Sequence, residues 1–189
     1  MPILEREASK LPNNLFETGY QKSQQEAGSR WWAVYTMSRK EKEFMRQLAA
    51  RDIPFYCPIY TKQYRSPQGR LRTSCLPLFS NYVFLFANEE QRAQTFLTNC
   101  ISRFVEVNEP ERLVKDLTNL DRLLEAEKPV TPEKKLLQGD MVRVKSGTMA
   151  GVEGVVFRRQ NQTRLLVYVD FMGAGTSLEV DEWELEKVY

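Results

Sequence analysis

GDMVRVKSGTMAGVEGVVF, residues 139–157, places four glycines among valines. Glycines at this density indicate either a phosphate-binding loop or tight turns between strands. A phosphate-binding loop needs a lysine and a hydroxyl residue directly after its last glycine, and then a helix. Gly154 is instead followed by Val155, Val156 and Phe157. The glycines therefore predict turns and bulges between short strands, where the missing Cβ allows a positive φ or a close backbone approach.

Short valine-rich runs separated by glycines or polar turns continue to the C-terminal end of the chain. The runs are MVRVKS, GVVFRR, LLVYVDFM, TSLEV and LEKVY. Many short strands joined by turn residues are typical of small barrels. We therefore predict a small β-barrel over residues 137–189.

The first half of the chain alternates strand and helix patterns. The run WWAVYT is aromatic and β-branched, as expected of a buried strand, and RKEKEFMRQLAAR after it places Phe44, Met45 and Leu48 on one helical face. The next run, IPFYCPIYTKQY, returns to strand character, and its two prolines mark strand ends or an edge position. This order predicts a strand, a helix and a second strand.

A hairpin, a third buried strand and two further helices follow. SPQG (Ser66–Gly69) predicts a turn between the basic arms TKQYR and RLRTS. NYVFLFA (Asn81–Ala87) is the most apolar strand, EEQRAQTFLTNC predicts a helix, and SRFVEV predicts another strand. Residues 110–125 predict a helix, because leucines recur at helical spacing from Leu113 to Leu124.

Two stretches carry no period and divide the chain. Residues 1–29 are polar, and we predict a mobile leader there. Residues 126–136, AEKPVTPEKKL, contain two prolines and five charged residues, as a semi-rigid linker does. The predicted domains are therefore residues 30–125 and residues 137–189.

The composition excludes most catalytic chemistry. The chain has no histidine, which removes the commonest general base and metal ligand. Its three cysteines, Cys57, Cys75 and Cys100, form no paired motif and argue against a disulfide framework or a zinc ribbon. The N-terminal segment has no apolar run of signal-peptide length, and no segment approaches the roughly 18 apolar residues that a membrane span needs. We expect a cytoplasmic protein that is not an enzyme and that binds no cofactor, metal or membrane.

Positive charge is concentrated in one part of the sequence. Between Met37 and Cys75 there are nine basic residues and three acidic ones, whereas residues 76–136 and 137–189 each have a net charge of −2. Such a local excess predicts a surface for nucleic acid, and Tyr60 and Tyr64 are placed to stack on unpaired bases. The candidate nucleic-acid-binding residues are Arg39, Lys40, Lys42, Lys62, Arg65, Arg70 and Arg72.

The C-terminal motifs resemble a known domain. GDMVRVKSGTMAGVEGVV with RLLVYVDFMGAGTSLEVDEWELEKV resembles the KOW domain of the NusG family of transcription elongation factors. WWAVYTMSRKEKEF resembles the family's first strand and helix, YCP its second strand, and PLFSNYVFLF its central strand. The resemblance covers residues 31–189. It implies an α+β fold, in which an N-terminal NGN-type α/β sandwich, an antiparallel sheet flanked by helices, is linked to an SH3-like KOW β-barrel.

One tetrapeptide points to a branch of the family. Phe79-Ser80-Asn81-Tyr82 stands where housekeeping NusG proteins usually have phenylalanine-proline-glycine-tyrosine, and the asparagine is shared with the specialised paralogue RfaH. The polar leader is also similar to those of paralogues encoded with polysaccharide gene clusters. The resemblance therefore favours an antitermination factor for a long operon.

The resemblance also implies binding sites. An aromatic depression on the N-terminal domain would receive the clamp helices of RNA polymerase, and the basic surface would face upstream or non-template DNA. Thr95 and Thr98 align with the RfaH segment that touches the opposite side of the polymerase cleft. Phe171 and Met172 lie where relatives present an apolar pair to Rho or to a ribosomal small-subunit protein. The polymerase-binding positions are Tyr35, Phe79, Tyr82, Phe84 and Val107.

Two other functions stay open at this point. The chain could be a housekeeping NusG that assists Rho-dependent termination. It could also be a ribosome-associated RNA-binding protein, although the net charge of −2 over residues 137–189 argues against a barrel that binds RNA directly. In each case we expect a monomer.

Overall fold

The computed structural model describes residues 8–126, 128–133, 139–160 and 162–188. In these residues the strands are β1 (Lys10–Leu11), β2 (Arg30–Thr36), β3 (Phe55–Tyr56), β4 (Ile59–Arg65), β5 (Leu71–Pro77), β6 (Tyr82–Ala87), β7 (Ile101–Val105), β8 (Val130–Glu133), β9 (Asp140–Val144), β10 (Glu153–Arg159), β11 (Gln162–Val169), β12 (Ala174–Glu179) and β13 (Leu185–Lys187). The α-helices are α1 (Thr18–Glu26), α2 (Glu41–Ala49), α3 (Glu89–Thr95) and α4 (Pro110–Glu125). None of the described helices is long and apolar enough to cross a membrane.

The chain forms two compact units. The first extends to Ile59 and resumes over Phe79–Pro110, and the second contains Tyr60–Leu78 and the chain from Glu111 onward. The second unit therefore includes the β4–β5 hairpin and α4, both of which lie within the predicted domain 30–125. This grouping follows contacts in space, whereas the predicted domain follows order in the sequence.

The sheet of the first unit has the strand order β1-β3-β6-β2-β7, and four of its strands, β2, β3, β6 and β7, lie in the runs predicted to be strands. β2 and β6 lie inside the sheet and pair antiparallel over six residues, from Arg30 opposite Ala87 to Tyr35 opposite Tyr82. A strand that is covered on both faces of its sheet is expected to be apolar along its whole length. Accordingly, five of the six residues of β6 are buried.

The predicted helices are present. α2 buries Phe44, Met45 and Leu48, which are the residues predicted to form its apolar face. α3 begins with a capping box in which Asn88 and Gln91 each bond the other's backbone N–H. α4 has the predicted bounds and buries Leu113, Leu117 and Leu120 of the predicted stripe, but at its last turn it buries Leu123, and Leu124 is only half-buried.

The N-terminal segment differs from the predicted mobile leader. Residues 8–29 contain β1 and α1, and β1 pairs with β3. Leu15 is fully buried, and the ring of Phe16 lies 5.9 Å from the Trp31 ring and 5.0 Å from the Tyr56 ring, centroid to centroid. A few aromatic contacts order this segment, and such contacts leave no periodic pattern in the sequence. Residues 1–7 lie outside the described part of the chain.

β4 and β5 form the predicted hairpin as a separate two-stranded sheet. In its turn, Gly69 N–H donates to the Ser66 carbonyl (2.8 Å) and Arg70 N–H donates to Ser66 Oγ (3.2 Å). Gly69 has a φ of +77°, which glycine adopts without strain. The hairpin strands are mostly exposed along their length.

The second unit contains a six-stranded antiparallel sheet with the order β13-β9-β10-β11-β12-β8. All five valine-rich runs contribute strands, but the described residues do not form the expected closed barrel. In the described residues the pairing ends at β13 on one side and at β8 on the other. β8 comes from the stretch predicted to be a linker and pairs with β12, so that the edge of β12 is covered by this strand.

The glycines of the opening motif act as predicted. Gly151 has a φ of +83°, a left-handed conformation that favours glycine. Gly154 lies inside β10, where a Cβ atom would be 2.3 Å from the carbonyl oxygen of Leu166 on β11. One glycine therefore permits a turn and the other permits a close approach of two strands.

Replacement of Gly154 by alanine should destabilise the protein by about 1–3 kcal/mol, because the new methyl group would overlap a backbone oxygen. The matched control is Gly19→Ala. Gly19 lies in α1 with open space around its Cα, so alanine should stabilise that helix by up to about 1 kcal/mol. Urea denaturation of the full chain measures both effects. Wild-type stability of the Gly154→Ala protein would contradict the prediction.

Candidate functional site

Two tyrosines form an aromatic pair at the end of the central sheet. Tyr35 of β2 and Tyr82 of β6 are cross-strand partners, and their rings pack edge to face with centroids 5.1 Å apart. Both residues are half-buried, so one side of the pair faces solvent. The guanidinium of Arg103, on β7, lies 4.8 Å from the centre of the Tyr35 ring. The pair therefore combines a rigid aromatic surface with a positive charge.

Asn81 holds this pair in place. Its φ is +66°, and its side-chain amide donates to the Tyr35 hydroxyl at 3.2 Å. Its backbone N–H donates to the buried Glu41 carboxylate at 2.7 Å, and its carbonyl accepts from Thr36 N–H at 2.7 Å. Asparagine tolerates the left-handed conformation better than most residues do. This residue therefore fixes both the turn before β6 and the orientation of Tyr35.

The other predicted polymerase-binding residues differ in exposure. Phe79 and Phe84 contact each other edge to face with centroids 6.2 Å apart, but they are only 4% and 0% exposed. Val107 is half-buried and lies two residues after β7. The structure thus brings Tyr35 to Tyr82 and Phe79 to Phe84, and it places the two phenylalanines in the core.

Thr95 and Thr98 are not at the surface, contrary to the requirement of a contact role. Both are buried, and their hydroxyls donate to the carbonyls of Arg92 (2.6 Å) and Thr95 (2.7 Å). Thr98 Oγ1 also accepts from Cys100 N–H at 3.3 Å. These hydroxyls satisfy backbone groups where α3 ends in a 3₁₀ turn, and so they are already used.

The residues between the two threonines are exposed instead. Phe96 and Leu97 are 55% and 72% exposed. The Phe96 ring lies 5.4 Å from that of Phe104 on β7, which anchors it. Helical periodicity could not identify this pair, because the change from α to 3₁₀ geometry alters which side chains point outward.

A cationic and aromatic cluster adjoins Phe104. The guanidinium of Arg92 lies 4.4 Å from the Trp32 ring centre and 4.8 Å from that of Phe104, and the guanidinium of Arg30 lies 4.0 Å from Trp32. Glu89 pairs with both arginines, and the hydrogen bonds from Arg92 and Arg30 lower the pKa of its carboxyl. Phe104 therefore connects exposed Phe96 to a surface that carries arginine side chains.

The predicted nucleic-acid-binding residues lie on two separate units. On the hairpin, the basic residues are exposed and, within the described part of the chain, have no ion-pair partner. These are Lys62, Arg65, Arg70 and Arg72. Tyr60, Lys62 and Tyr64 alternate along β4 and so share one face. The hairpin therefore presents aromatic and cationic side chains together.

The basic residues near α2 are more constrained. Arg39 is exposed and has a φ of +61°. Lys40 forms an ion pair of 2.6 Å with Glu43, and this hydrogen bond lowers the pKa of the Glu43 carboxyl. Lys42 is half-buried. The hairpin consequently offers more unpaired positive charge than this group does.

Phe171 and Met172 lie together in a 3₁₀ turn between β11 and β12, and both are half-buried. The first residue of the turn, Asp170, donates its backbone N–H to the Asp116 carboxylate of α4 at 3.0 Å. Burial raises the pKa of the Asp116 carboxyl. The predicted partner-binding pair therefore adjoins a helix of the same unit.

Comparison with known proteins identifies the class to which this arrangement belongs. Residues 29–120 match the family model described as "Transcription termination factor nusG". The comparison with curated proteins gave no match. This region of the chain belongs to the NusG family, whose members are non-enzymatic transcription elongation and termination factors that bind RNA polymerase. The matched region includes the tyrosine pair, the hairpin and most of α4.

We predict that Asn81→Ala destabilises the protein by about 1–3 kcal/mol, because alanine would be strained at this φ and the bond to Tyr35 would be lost. Asn81→Gly removes the strain and keeps only the loss of the bond, about 1 kcal/mol. Thermal and urea denaturation measure the free energy of unfolding of the two variants. Equal destabilisation by both substitutions would show that backbone strain is not the reason for asparagine here.

Proposed function

We propose that this protein joins elongating RNA polymerase through its N-terminal unit, suppresses pausing and termination, and recruits a second partner through a C-terminal KOW domain. It would serve as a specialised, RfaH-like antitermination factor for a long operon such as a polysaccharide gene cluster. Residues 30–125 would form the NGN domain and residues 137–189 the KOW domain, as in the sequence-based division.

The observation that carries this proposal is the Tyr35–Tyr82 pair. Its solvent-facing side is aromatic, and Asn81 and the cross-strand register hold it before any partner binds. Aromatic anchors supply much of the free energy of protein interfaces, and a preformed surface loses less entropy on binding. The clamp helices of RNA polymerase would contact the two tyrosines and Val107, whereas Phe79 and Phe84 are buried in the core.

A second polymerase contact would use Phe96 and Leu97. The family resemblance implies a contact by Thr95 and Thr98, but both are buried, and the exposed side chains of this turn are those of Phe96 and Leu97. Large apolar side chains that are exposed side by side and rimmed by charge commonly mark protein contacts. We therefore assign the contact with the opposite side of the cleft to Phe96 and Leu97.

DNA binding would use the β4–β5 hairpin. Its lysine and arginines are exposed, and Tyr60 and Tyr64 share a face with Lys62. Phosphates attract the basic side chains, and unpaired bases stack on exposed tyrosines. Upstream duplex and displaced non-template strand both fit this chemistry.

Two features support a KOW domain. Strands β9 to β13 have the antiparallel order β13-β9-β10-β11-β12, and a 3₁₀ turn at Glu182–Glu184 precedes β13, as in SH3-like folds. Phe171 and Met172 are adjacent on a turn of this sheet. A ribosomal small-subunit protein or Rho would bind there, and methionine can fill the apolar contact that phenylalanine makes in relatives.

The paralogue assignment rests on Asn81. Glycine is usual at this position in housekeeping NusG proteins and would allow the same φ, but only asparagine adds the bond to Tyr35. A housekeeping role in Rho-dependent termination is the second candidate function. The hydrogen bond to the proposed polymerase surface favours the specialised role.

Tyr82→Ala in the full chain should weaken binding to bacterial RNA polymerase about 30-fold or more, which corresponds to a loss of about 2 kcal/mol. Tyr82→Phe keeps the ring and should bind nearly as well as wild type. Affinity is measured with immobilised polymerase, and circular dichroism confirms that each variant is folded.

The matched control is Tyr64→Ala, which removes an exposed tyrosine from the hairpin instead. We expect it to leave polymerase affinity unchanged. If folded wild-type protein does not bind polymerase, or if both alanine variants lose affinity equally, the tyrosine pair is not the polymerase site.

Charge removal from the hairpin should change the salt dependence of DNA binding. For Arg65→Gln combined with Arg72→Gln, the slope of log K against log salt should become shallower by about 2 on duplex DNA, since each lost phosphate contact removes about 0.9. The control combines Arg158→Gln with Lys187→Gln, which removes two positive charges that are ion-paired on the second sheet. An equal change of slope in both double variants would indicate that net charge alone drives binding.

A further inference from the structure

The outer edge of β12 is occupied by a strand that the sequence predicts to be a linker. β8 pairs antiparallel with β12, from Val130 opposite Leu178 to Glu133 opposite Gly175. Pro132 lies opposite Thr176 and has no N–H to donate. The edge of the sheet is therefore covered by a short strand that contains a proline, which sheets accept in their edge strands.

Side chains on β10 and β12 recognise the carboxylate of Glu133. Arg159 of β10 donates to both of its oxygens, at 3.0 and 3.2 Å, and Ser177 Oγ donates to Oε1 at 2.8 Å. The Glu133 side chain is only 11% exposed. A guanidinium that donates two parallel hydrogen bonds to a nearly buried carboxylate is selective for that group.

A second set of contacts recognises the residue two positions earlier. Thr131 Oγ1 accepts from Arg164 at 3.0 Å, and the Thr131 carbonyl accepts from Thr176 Oγ1 at 3.0 Å. Arg164 is itself held by bonds to the side chain and the carbonyl of Ser177. Alternate residues of a strand share one face, so Thr131 and Glu133 contact the side chains of β10, β11 and β12 from the same face.

We propose that the edge of β12 is a strand-acceptor site for an extended segment of a partner protein, and that β8 occupies this site when no partner is bound. The partner segment would carry a hydroxyl or other acceptor two residues before a carboxylate, and would pair antiparallel with β12. This inference is independent of polymerase binding, since it uses only residues of the six-stranded sheet, to which β8 belongs.

The construction of β8 favours exchange. The described residues of β8 pair with β12 at four positions, Gly175–Leu178, whereas β12 has six residues, so that a longer partner strand could pair over more of the edge. Sheet edges recruit extended peptides through backbone bonds, and side-chain pockets at alternate positions supply specificity. Release of β8 would expose the edge together with Arg159 and Arg164.

The test uses full-length protein and a fluorescent peptide that copies residues 126–138. Glu133→Gln removes the charge that Arg159 binds on β8. The variant should bind the peptide at least tenfold more tightly than wild type, as measured by fluorescence anisotropy. The same peptide with glutamine in place of its Glu133 should bind this variant at least tenfold more weakly. Addition of Arg159→Ala to the protein should remove the difference between the two peptides.

Two controls separate edge opening from general unfolding. Glu186→Gln makes the same change on β13, at the other edge of the sheet, and should bind the peptide as wild type does. Hydrogen exchange at Gly175–Leu178 should become faster in Glu133→Gln while the exchange of β9 and β10 stays unchanged. If Glu133→Gln loosens the whole sheet, the assay uses Thr131→Val instead, which removes a single hydrogen-bond acceptor from β8.

Absence of saturable peptide binding to the opened variants would overturn the proposal. So would equal binding of the glutamate and glutamine peptides, because the site would then not read a carboxylate. Neither result would affect polymerase binding by Tyr35 and Tyr82, which is measured with different variants.

Discussion

The antiparallel pairing of β2 with β6 is the constraint on which the first unit depends. Six residue pairs in register place Tyr35 beside Tyr82 and Trp31 beside Phe86. A slip of one residue would move every side chain of β6 to the opposite face of the sheet. Asn81 protects the register at one end, since it bonds to Thr36, Glu41 and Tyr35 at once. The same turn that starts the central strand therefore also orients the proposed polymerase surface.

Charged contacts surround the six-stranded sheet of the second unit. Glu153 at the start of β10 pairs with Lys115 of α4 at 2.8 Å and with Arg143 of β9 at 2.6 Å, and these hydrogen bonds lower the pKa of its carboxyl. Asp116 of α4 accepts from the turn that carries Phe171 and Met172. The family match ends inside α4, at residue 120, yet this helix forms ion pairs with the second sheet. A domain boundary taken from sequence similarity and one taken from contacts in space consequently fall at different places.

Much of the fold could be predicted because the patterns are local. Alternation and β-branching identified β2, β6 and the strands β9 to β13, helical spacing identified α2 and α4, and SPQG identified the hairpin turn. The glycine motif was informative for the same reason, since a positive φ or a missing Cβ is a property of one residue and its nearest strand. The candidate tyrosines were also found from sequence, because family resemblance places them on strands of known register.

The amino-acid sequence by itself determined most of the elements, their order and the family resemblance, since periodicity, turn chemistry and motif spacing are encoded over a few residues each; β1, α1 and β8 are the exceptions. Tertiary structure alone decided which side chains face solvent. It ordered the N-terminal segment through Phe16, buried Thr95 and Thr98 while exposing Phe96 and Leu97, and placed Val130–Glu133 on the edge of β12. The contacts of Phe16 and of Val130–Glu133 join residues that are distant in sequence, and burial and hydrogen-bond satisfaction are settled only when those residues meet.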